Sequence, residues 1–290
     1  MENKQTRGHL AAFLTILIWG TTFVSTKVLL RDFQPVEILF SRFLLGLIAL
    51  FIVCPRRLKG TTLKQELMFA GAGLFGITLY YLFENIALTY TSASNVGVIT
   101  TTAPFFTAIL ALLFLKEERK GLWFYVGFLL AITGVCLISF NGSTLHLDPK
   151  GDLLALIAAL TWGFYSILMK KITGFGYSTF LVTRRVFEYG LVIMIPALFL
   201  FGFDPDPRRF FDPVNLGNLV FLGLGASALC FVTWNYAVKI LGAVRTSVYI
   251  YLTPAVTVIM AFLILREPIT LMLLAGMALT LAGLVVSERK

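Results

Sequence analysis

Charged side chains inside apolar segments are the residues of this chain most able to do chemistry. An ion at the centre of a bilayer costs about 2.5–3.5 kcal/mol on insertion scales unless it is paired or hydrated. Two interpretations remain open: these residues form ion pairs that open and close in turn, or they anchor helices and extend to the membrane interface. The charges lie at Lys27, Glu37, Arg42 and Glu84 in the first half and at Arg184, Arg185 and Glu188 in the second. We predict gating or coupling roles for Lys27, Arg42, Glu84, Arg185 and Glu188.

Glu84 is the acidic residue placed deepest within an apolar segment, and Tyr80 lies on the same helical face. A carboxyl group removed from water binds a proton more readily, so Glu84 is a candidate proton carrier. A neighbouring arginine would favour the ionised carboxylate instead. The sequence leaves both possibilities open.

Aromatic and hydroxyl side chains follow helical spacing in several segments. Trp19 and Trp162 lie near the middle of their segments, away from the interfaces where tryptophan is usually enriched. Flat rings with hydroxyl and amide groups suit a small amphiphilic ligand, although the same residues could simply pack helices together. The predicted substrate-binding residues are Trp19, Thr22, Tyr80, Glu84, Asn95, Thr102, Trp162, Tyr165, Trp234, Asn235, Tyr249 and Thr253.

Pro104 and Pro254 interrupt the fourth and ninth apolar segments. Proline cannot donate a backbone hydrogen bond, so each frees a carbonyl group one turn earlier. We predict that both are helix hinges, because broken helices that line a cavity can bend or bind substrate there.

Enzymatic chemistry finds little support in the sequence. Its two histidines are His9 and His146, and it contains no metal-ligand spacing, nucleophile motif or phosphate-binding glycine loop. We therefore predict no enzyme activity, no metal and no cofactor. The expected partners are a small-molecule substrate, the lipid bilayer and either protons or a counter-substrate.

The elements that must position these residues are long apolar helices. The chain has 290 residues, of which 58% are hydrophobic and 13% charged, and its mean hydropathy is +0.87. Its long apolar runs, whose bounds follow, are each long enough to cross a hydrocarbon core about 30 Å thick. The composition predicts an all-α integral membrane protein with ten transmembrane helices, at 9–30, 35–54, 66–89, 94–115, 122–140, 151–170, 178–202, 215–238, 244–265 and 270–287.

The net charge of +9 is spread over short loops, which argues against nucleic-acid binding. With a cytoplasmic N-terminus, fifteen loop cations fall inside the cell: Lys4, Arg7, Arg56, Arg57, Lys59, Lys64, Lys116, Arg119, Lys120, Lys170, Lys171, Lys239, Arg245, Arg289 and Lys290. Five fall outside: Arg31, Lys150, Arg208, Arg209 and Arg266. This positive-inside bias predicts a multi-pass protein of the cytoplasmic (inner) membrane with both termini cytoplasmic.

Residues 1–140 and 150–290 repeat one pattern. Trp19-Gly20 recurs as Trp162-Gly163, and Pro104 as Pro254; Gly127 and Gly134 recur as Gly276 and Gly283. Each copy contains five segments, so the second copy must enter the membrane from the opposite face. We therefore predict two inverted five-helix repeats with a substrate site near the membrane midplane.

The paired Trp-Gly motifs, the prolines, and Glu117 and Glu267 closing the fourth and ninth segments resemble the drug/metabolite transporter superfamily, and in particular its ten-helix EamA-like exporters. The resemblance implies two inverted five-helix bundles around a central cavity. It implies secondary active export of amino acids or other amphiphilic or aromatic small molecules by alternating access. A gated facilitator is the alternative. Small members of the superfamily couple to protons through a glutamate in their first span, but this first span has no acidic residue.

The inverted topology predicts that residues 30 and 174 lie on opposite sides of the membrane. Leu30→Cys and Gly174→Cys would each be introduced after replacing Cys54, Cys136 and Cys230. A membrane-impermeant thiol reagent added to intact cells should label only the cysteine at 30, while the cysteine at 174 should react only after permeabilisation. Labelling of both from the same side would contradict the inverted arrangement.

Overall fold

The computed structural model describes residues 2–114, 121–139, 149–204, 206–241, 246 and 248–287. Within these residues the protein is entirely helical. Glu117 and His146 fall outside the described part of the chain.

Long helices overlap the predicted segments. They are α1 (Glu2–Leu29), α2 (Pro35–Val53), α3 (Leu63–Tyr90), α4 (Ala93–Phe114), α5 (Leu122–Ser139), α6 (Pro149–Thr173), α7 (Thr179–Leu200), α8 (213–241), α9 (248–265) and α10 (Leu271–Ser287). Helix α1 begins at Glu2 rather than at residue 9. A short helical turn, Arg208–Phe211, precedes α8.

Length and composition identify the chain as a membrane protein. Helices α1, α2, α3, α4, α6 and α8 contain stretches long and apolar enough to cross a membrane. Helices α5, α9 and α10 are apolar but shorter. Helix α7 has 22 residues and carries Arg184, Arg185 and Glu188.

Several helix starts are fixed by capping side chains. The Thr62 hydroxyl accepts a hydrogen bond from the Gln65 backbone amide, and the Gln65 side-chain oxygen accepts one from the Thr62 backbone amide, forming a capping box at α3. Ser92 accepts a bond from the Asn95 backbone at the start of α4. Only two residues separate α3 from α4, so the Ser92 cap sets where the chain reverses at the predicted outer end, whereas the Thr62 cap lies at the other end of α3.

Helix irregularities recur at corresponding places in the two halves. Helix α3 contains a π-helical stretch at Leu74–Leu79, and α8 contains one at Phe221–Leu229. A 3₁₀ turn lies just before each predicted hinge, at Thr100–Thr102 before Pro104 and at Val248–Leu252 before Pro254. Such departures from α geometry are frequent at functional sites.

The helices pack into two groups that mix the halves of the sequence. The first helix group comprises α1, α8 and α9, because α1 packs along both other helices. The second helix group comprises α3, α4 and α6, with α6 packed along the other two. Helix α2 packs mainly on α8 and α7 on α3, α2 and α7 touch each other, and α5 pairs with α10.

Glycines allow α5 and α10 to approach closely. A Cβ atom added at Gly127 would lie 2.3 Å from the carbonyl oxygen of Gly283. One added at Gly134 would lie 2.4 Å from Thr280 Oγ1 and 2.6 Å from the carbonyl oxygen of Gly276. Small residues at a crossing bring backbones together in a membrane, where lipid gives helices little hydrophobic reason to associate.

Gly134→Ala should therefore destabilise the protein, although alanine is the better helix former. The new methyl group meets backbone atoms that cannot move aside, which costs about 1–3 kcal/mol. Thermal denaturation of the purified protein in detergent would measure the effect. Gly225→Ala is the matched control, because the atom nearest to its added Cβ is 3.7 Å away; equal melting temperatures for the two variants would contradict the close crossing.

Candidate functional site

An aromatic cluster lies where the two helix groups face each other. Trp19 of the first group meets Trp162 of the second edge-on, with ring centroids 6.0 Å apart. Trp234 lies 5.2 Å from Trp19, while Tyr80 and Tyr165 lie 5.0 and 4.9 Å from Trp162. The structure thus brings five of the predicted substrate-binding residues together. We call these five residues and Phe231, which contacts Trp19, Trp162 and Tyr165, the aromatic cluster.

Local contacts hold the cluster in place. The indole nitrogen of Trp19 donates a 3.0 Å hydrogen bond to the carbonyl oxygen of Ala226, within the π-helical stretch of α8. A Cβ atom at Gly76 would lie 2.2 Å from the ring of Tyr165, so glycine is what allows that ring to lie against α3. The π-helical stretches of α3 and α8 therefore border the cluster from opposite helix groups.

Arg42 is fully buried beside this cluster. Its Nε donates a 3.1 Å hydrogen bond to Ser227 Oγ on α8, and its guanidinium carbon lies 4.5 Å from the centre of the Tyr81 ring. Its side chain is 0% exposed, and neither Nη1 nor Nη2 has a hydrogen-bond partner.

Glu84 lies one helical turn beyond Tyr80 and Tyr81 on α3. It is 1% exposed, and its Oε1 has no hydrogen-bond partner. Its carboxylate interacts electrostatically with Arg42 and Tyr80. Leaving polar atoms of buried charged groups without hydrogen bonds is costly, so the arrangement requires an explanation beyond packing.

Two charged residues of the first helix group hold the α3–α4 turn of the second. The Lys27 ammonium donates to the carbonyl oxygens of Leu88 and Thr91, the latter at 2.7 Å. The Glu267 carboxylate accepts bonds from the backbone of Ala93 and from the backbone and hydroxyl of Ser94, at 2.6–3.1 Å. A cation therefore binds the end of α3 and an anion the start of α4, as the helix dipoles favour.

This contact borders a pocket of about 430 Å³ at the predicted outer end. Lys27, Arg31 and Glu267 supply its charged lining, and the rest of the lining comes from α1, α3 and α9. The pocket thus lies between the same two helix groups as the aromatic cluster.

At the opposite, predicted inner end, charges of α7 contact α3 and α2. Arg185 binds Glu66 through two hydrogen bonds of 2.9 and 3.0 Å, and it also pairs with Glu188 at 3.0 Å. Arg184 donates a 2.6 Å bond to the carbonyl oxygen of Cys54, just beyond α2, and its guanidinium carbon lies 4.5 Å from the Phe51 ring centre. Arg185 therefore joins α7 to the neighbouring α3, whereas Arg184 reaches across to α2.

Glu37 is 0% exposed but fully paired. Arg209 binds it through both guanidinium ends at 2.6 and 3.0 Å, and the backbone amides of Gln34 and Asp204 also donate to it. This arrangement fixes the start of α2 to the chain that precedes α8.

The remaining predicted substrate-binding residues each form a hydrogen bond with a nearby residue. Thr22 and Thr102 donate to backbone carbonyls one turn back, at 2.6 and 2.7 Å. The other contacts are Asn95 to Thr91 Oγ1 (3.1 Å), Asn235 to Thr183 Oγ1 (3.1 Å), Tyr249 to His9 Nδ1 (2.8 Å) and the Thr253 carbonyl to Thr257 Oγ1 (3.0 Å). Of these, Thr22 lies next to the aromatic cluster because it follows Trp19 by one turn.

Sequence reasoning missed the partners of several charges. Glu66 and Arg209 were not predicted as site residues, because each lies near the end of an apolar segment, where a charged side chain costs little free energy. Glu267 was noted only as a repeated motif. Within the described residues, no three histidine, cysteine or acidic side chains are grouped to hold a metal.

Comparison with known proteins identifies a family. The profile of the EamA-like transporter family matches residues 6–140 and again residues 149–288. An uncharacterised transporter of Archaeoglobus fulgidus is 30% identical over 97% of both chains. A probable terminal-alkyne amino-acid exporter of Streptantibioticus cattleyicolor is 27% identical over 99% of this chain and 95% of its own.

A protein of known crystal structure shares the fold. It superposes with a TM-score of 0.70 at 20% identity, covering 98% of this chain and 96% of that chain. The family and these relatives are transporters and not enzymes, as the sequence predicted.

Proposed function

The chain belongs to the EamA-like transporter family, and from this premise we propose that it is a secondary transporter of the cytoplasmic membrane that exports small metabolites by alternating access. Amino acids and other amphiphilic or aromatic compounds are the proposed substrates. Membership of the family establishes a multi-pass membrane transporter that acts on a small molecule. The direction, substrate and mechanism are the proposal.

The observation that carries the proposal is the aromatic cluster between the two helix groups. Trp19 and Trp162 occupy corresponding positions in the two sequence halves, and they meet at the interface between the two helix groups. If the groups separate first at one end and then at the other, these rings become reachable from each side in turn. Pockets for small ligands are mostly apolar and aromatic with a few polar groups, which matches this composition. The name of the Streptantibioticus relative agrees with amino acids as candidates.

The proposal includes two inverted five-helix repeats, residues 1–140 and 150–290. The close contacts of α5 with α10 support it. Exchanging each glycine for its counterpart in the other half converts the Gly127–Gly283 contact into the Gly134–Gly276 contact. Such exchange is expected of two units related by a two-fold axis in the membrane plane.

Residues that tie the two sides of the molecule are the proposed gates. At the outer end, Lys27 and Glu267 hold the α3–α4 turn. At the predicted inner end, Arg184 joins α7 to α2, while Arg185, also on α7, pairs with Glu66 of α3 and with Glu188 of its own helix. Both ends are joined in this structure, as the proposal expects of an occluded state in an alternating-access cycle.

Trp19→Ala and Trp162→Ala should each reduce saturable substrate flux in proteoliposomes much more than they lower the melting temperature. Each substitution removes a ring from the interface between helix groups while leaving the other helix contacts in place. Trp123→Ala is the matched control, because Trp123 is 45% exposed at the start of α5. Normal saturable flux in both variants would remove the aromatic cluster from the pathway. Unsaturable flux through the unaltered protein would indicate a facilitator or channel instead.

Lys27→Gln should make the centre of the protein more accessible from the outside, because it removes the charge that holds Leu88 and Thr91. The reporter is Phe231→Cys in a background without native cysteines, reacted with an impermeant thiol reagent on each side of sealed vesicles. Arg184→Gln should increase labelling from the inside instead.

Arg31→Gln serves as the control for Lys27→Gln. Arg31 lines the same pocket, and no hydrogen bond of its side chain is found among the described residues. The gate assignment fails if Lys27→Gln and Arg31→Gln change outside labelling equally, or if Arg184→Gln leaves inside labelling unchanged.

A further inference from the structure

Arg42 and Glu84 present opposite charges without full hydrogen bonding beside the aromatic cluster. The guanidinium uses Nε to bind Ser227, which leaves Nη1 and Nη2 buried and without partners. Glu84 Oε1 is likewise buried and without a partner. Both side chains are at least nine-tenths buried, so water does not provide an easy substitute.

The two free ends have complementary chemistry. The terminal nitrogens of a guanidinium form a fork that matches both oxygens of a carboxylate. A free carboxylate oxygen in an apolar setting accepts a hydrogen bond from an ammonium group. A ligand that carries a carboxylate and an ammonium on adjacent positions would satisfy both at once.

The surroundings indicate what the rest of such a ligand would be. Tyr80 lies one turn from Glu84 and touches Trp162, whose ring meets Trp19. Ser227, which binds Arg42, directly follows Ala226, which binds the Trp19 indole. The charged pair and the rings therefore lie next to each other, with the charged groups at one end and the aromatic rings at the other.

We propose that these residues bind zwitterionic amino acids when the helix groups separate, with the carboxylate on Arg42, the ammonium on Glu84 and an apolar or aromatic side chain among Trp19, Trp162 and Tyr80. This inference rests on the proposed transport function and specifies its substrate class. Amines without a carboxylate and acids without an ammonium bind more weakly, because each leaves the free hydrogen-bonding atoms of Arg42 or of Glu84 without a partner.

The proposed binding geometry also couples binding of the substrate to movement of the two helix groups. Arg42 is on α2 and is held by α8, which belongs to the first helix group, whereas Glu84 belongs to α3 in the second. A zwitterion that contacts both would draw the two groups together, while a ligand with a single charge would bind only one of them.

The test compares three ligands of one shape: phenylalanine, 2-phenylethylamine, which lacks the carboxylate, and 3-phenylpropanoate, which lacks the ammonium. Binding is measured on the full chain in nanodiscs. The unaltered protein should prefer phenylalanine over each analogue by about 10- to 100-fold, the usual value of a hydrogen bond to a charged group. Arg42→Gln should abolish the preference over the amine and keep the preference over the acid. Glu84→Gln should do the reverse.

Arg208→Gln, at the exposed start of the short Arg208–Phe211 turn, controls for loss of a positive charge. If a glutamine variant does not fold, Arg42→Lys and Glu84→Asp are the alternatives, because both keep the charge. The first removes the guanidinium fork and the second shortens the reach of the carboxylate, so both should still weaken phenylalanine binding. Equal weakening of all three ligands by a variant would show that the pair is structural and would overturn the inference. So would the absence of a preference for phenylalanine in the unaltered protein.

Transport measured in parallel separates this inference from the proposed function. Saturable flux of another small solute that is unchanged by Arg42→Gln and Glu84→Gln would overturn the zwitterion site and leave the transporter assignment intact. The absence of saturable flux for every solute in an amino-acid, amine and nucleobase panel would overturn both.

Discussion

A buried charge in a membrane protein must find its partner within the protein, because the hydrocarbon core offers no water to replace one. This constraint orders most of the charged residues here. Glu37 is enclosed by Arg209 and two backbone amides, and Lys27 binds two free carbonyls at the end of a helix. Where the constraint is met within the chain, the charge contributes to holding helices together. Where it is not met, as for Arg42 and Glu84, the unfilled bonding capacity falls beside the aromatic cluster.

The same constraint applies to the backbone, which limits how a helix can deform inside lipid. The π-helical stretches in α3 and α8 keep most backbone groups bonded while shifting the register of side chains. Each stretch contains or adjoins a glycine that lies against another helix, such as Gly76 against Tyr165 and Gly223 against Leu45. A departure from α-helical geometry is therefore combined with close packing in the helices that border the aromatic cluster.

Much of the fold could be predicted from the sequence, because apolar length and proline or glycine placement are local properties. The segment bounds agree with the helices to within a few residues for most elements, and the family expected from the Trp-Gly and proline motifs is confirmed. Partner identity could not be predicted in the same way. Arg184 and Arg185 are adjacent in sequence, yet one reaches α2 and the other α3, and only the rotation of α7 between its neighbours decides which. The sequence repeat likewise does not reveal that α1 packs with α8 and α9 of the second half, or that α6 packs with α3 and α4 of the first half.

The predicted outer end of the molecule contains two charge contacts that differ in how easily they can break. Separating Glu37 from Arg209 would leave a fully buried carboxylate without its counter-charge, which typically costs about 3–5 kcal/mol. Lys27 and Glu267 are only partly buried and bind dipolar backbone groups rather than each other. Exposed or half-exposed charge contacts are typically worth only about 0–1 kcal/mol each, because water can take over their hydrogen bonds. A reversible gate needs the second kind of contact, whereas a joint that must survive every cycle needs the first. In the proposed transport cycle, the Glu37–Arg209 pair therefore fits a permanent connection between the start of α2 and the chain that precedes α8, and the gate at this end is expected where Lys27 and Glu267 meet the α3–α4 turn.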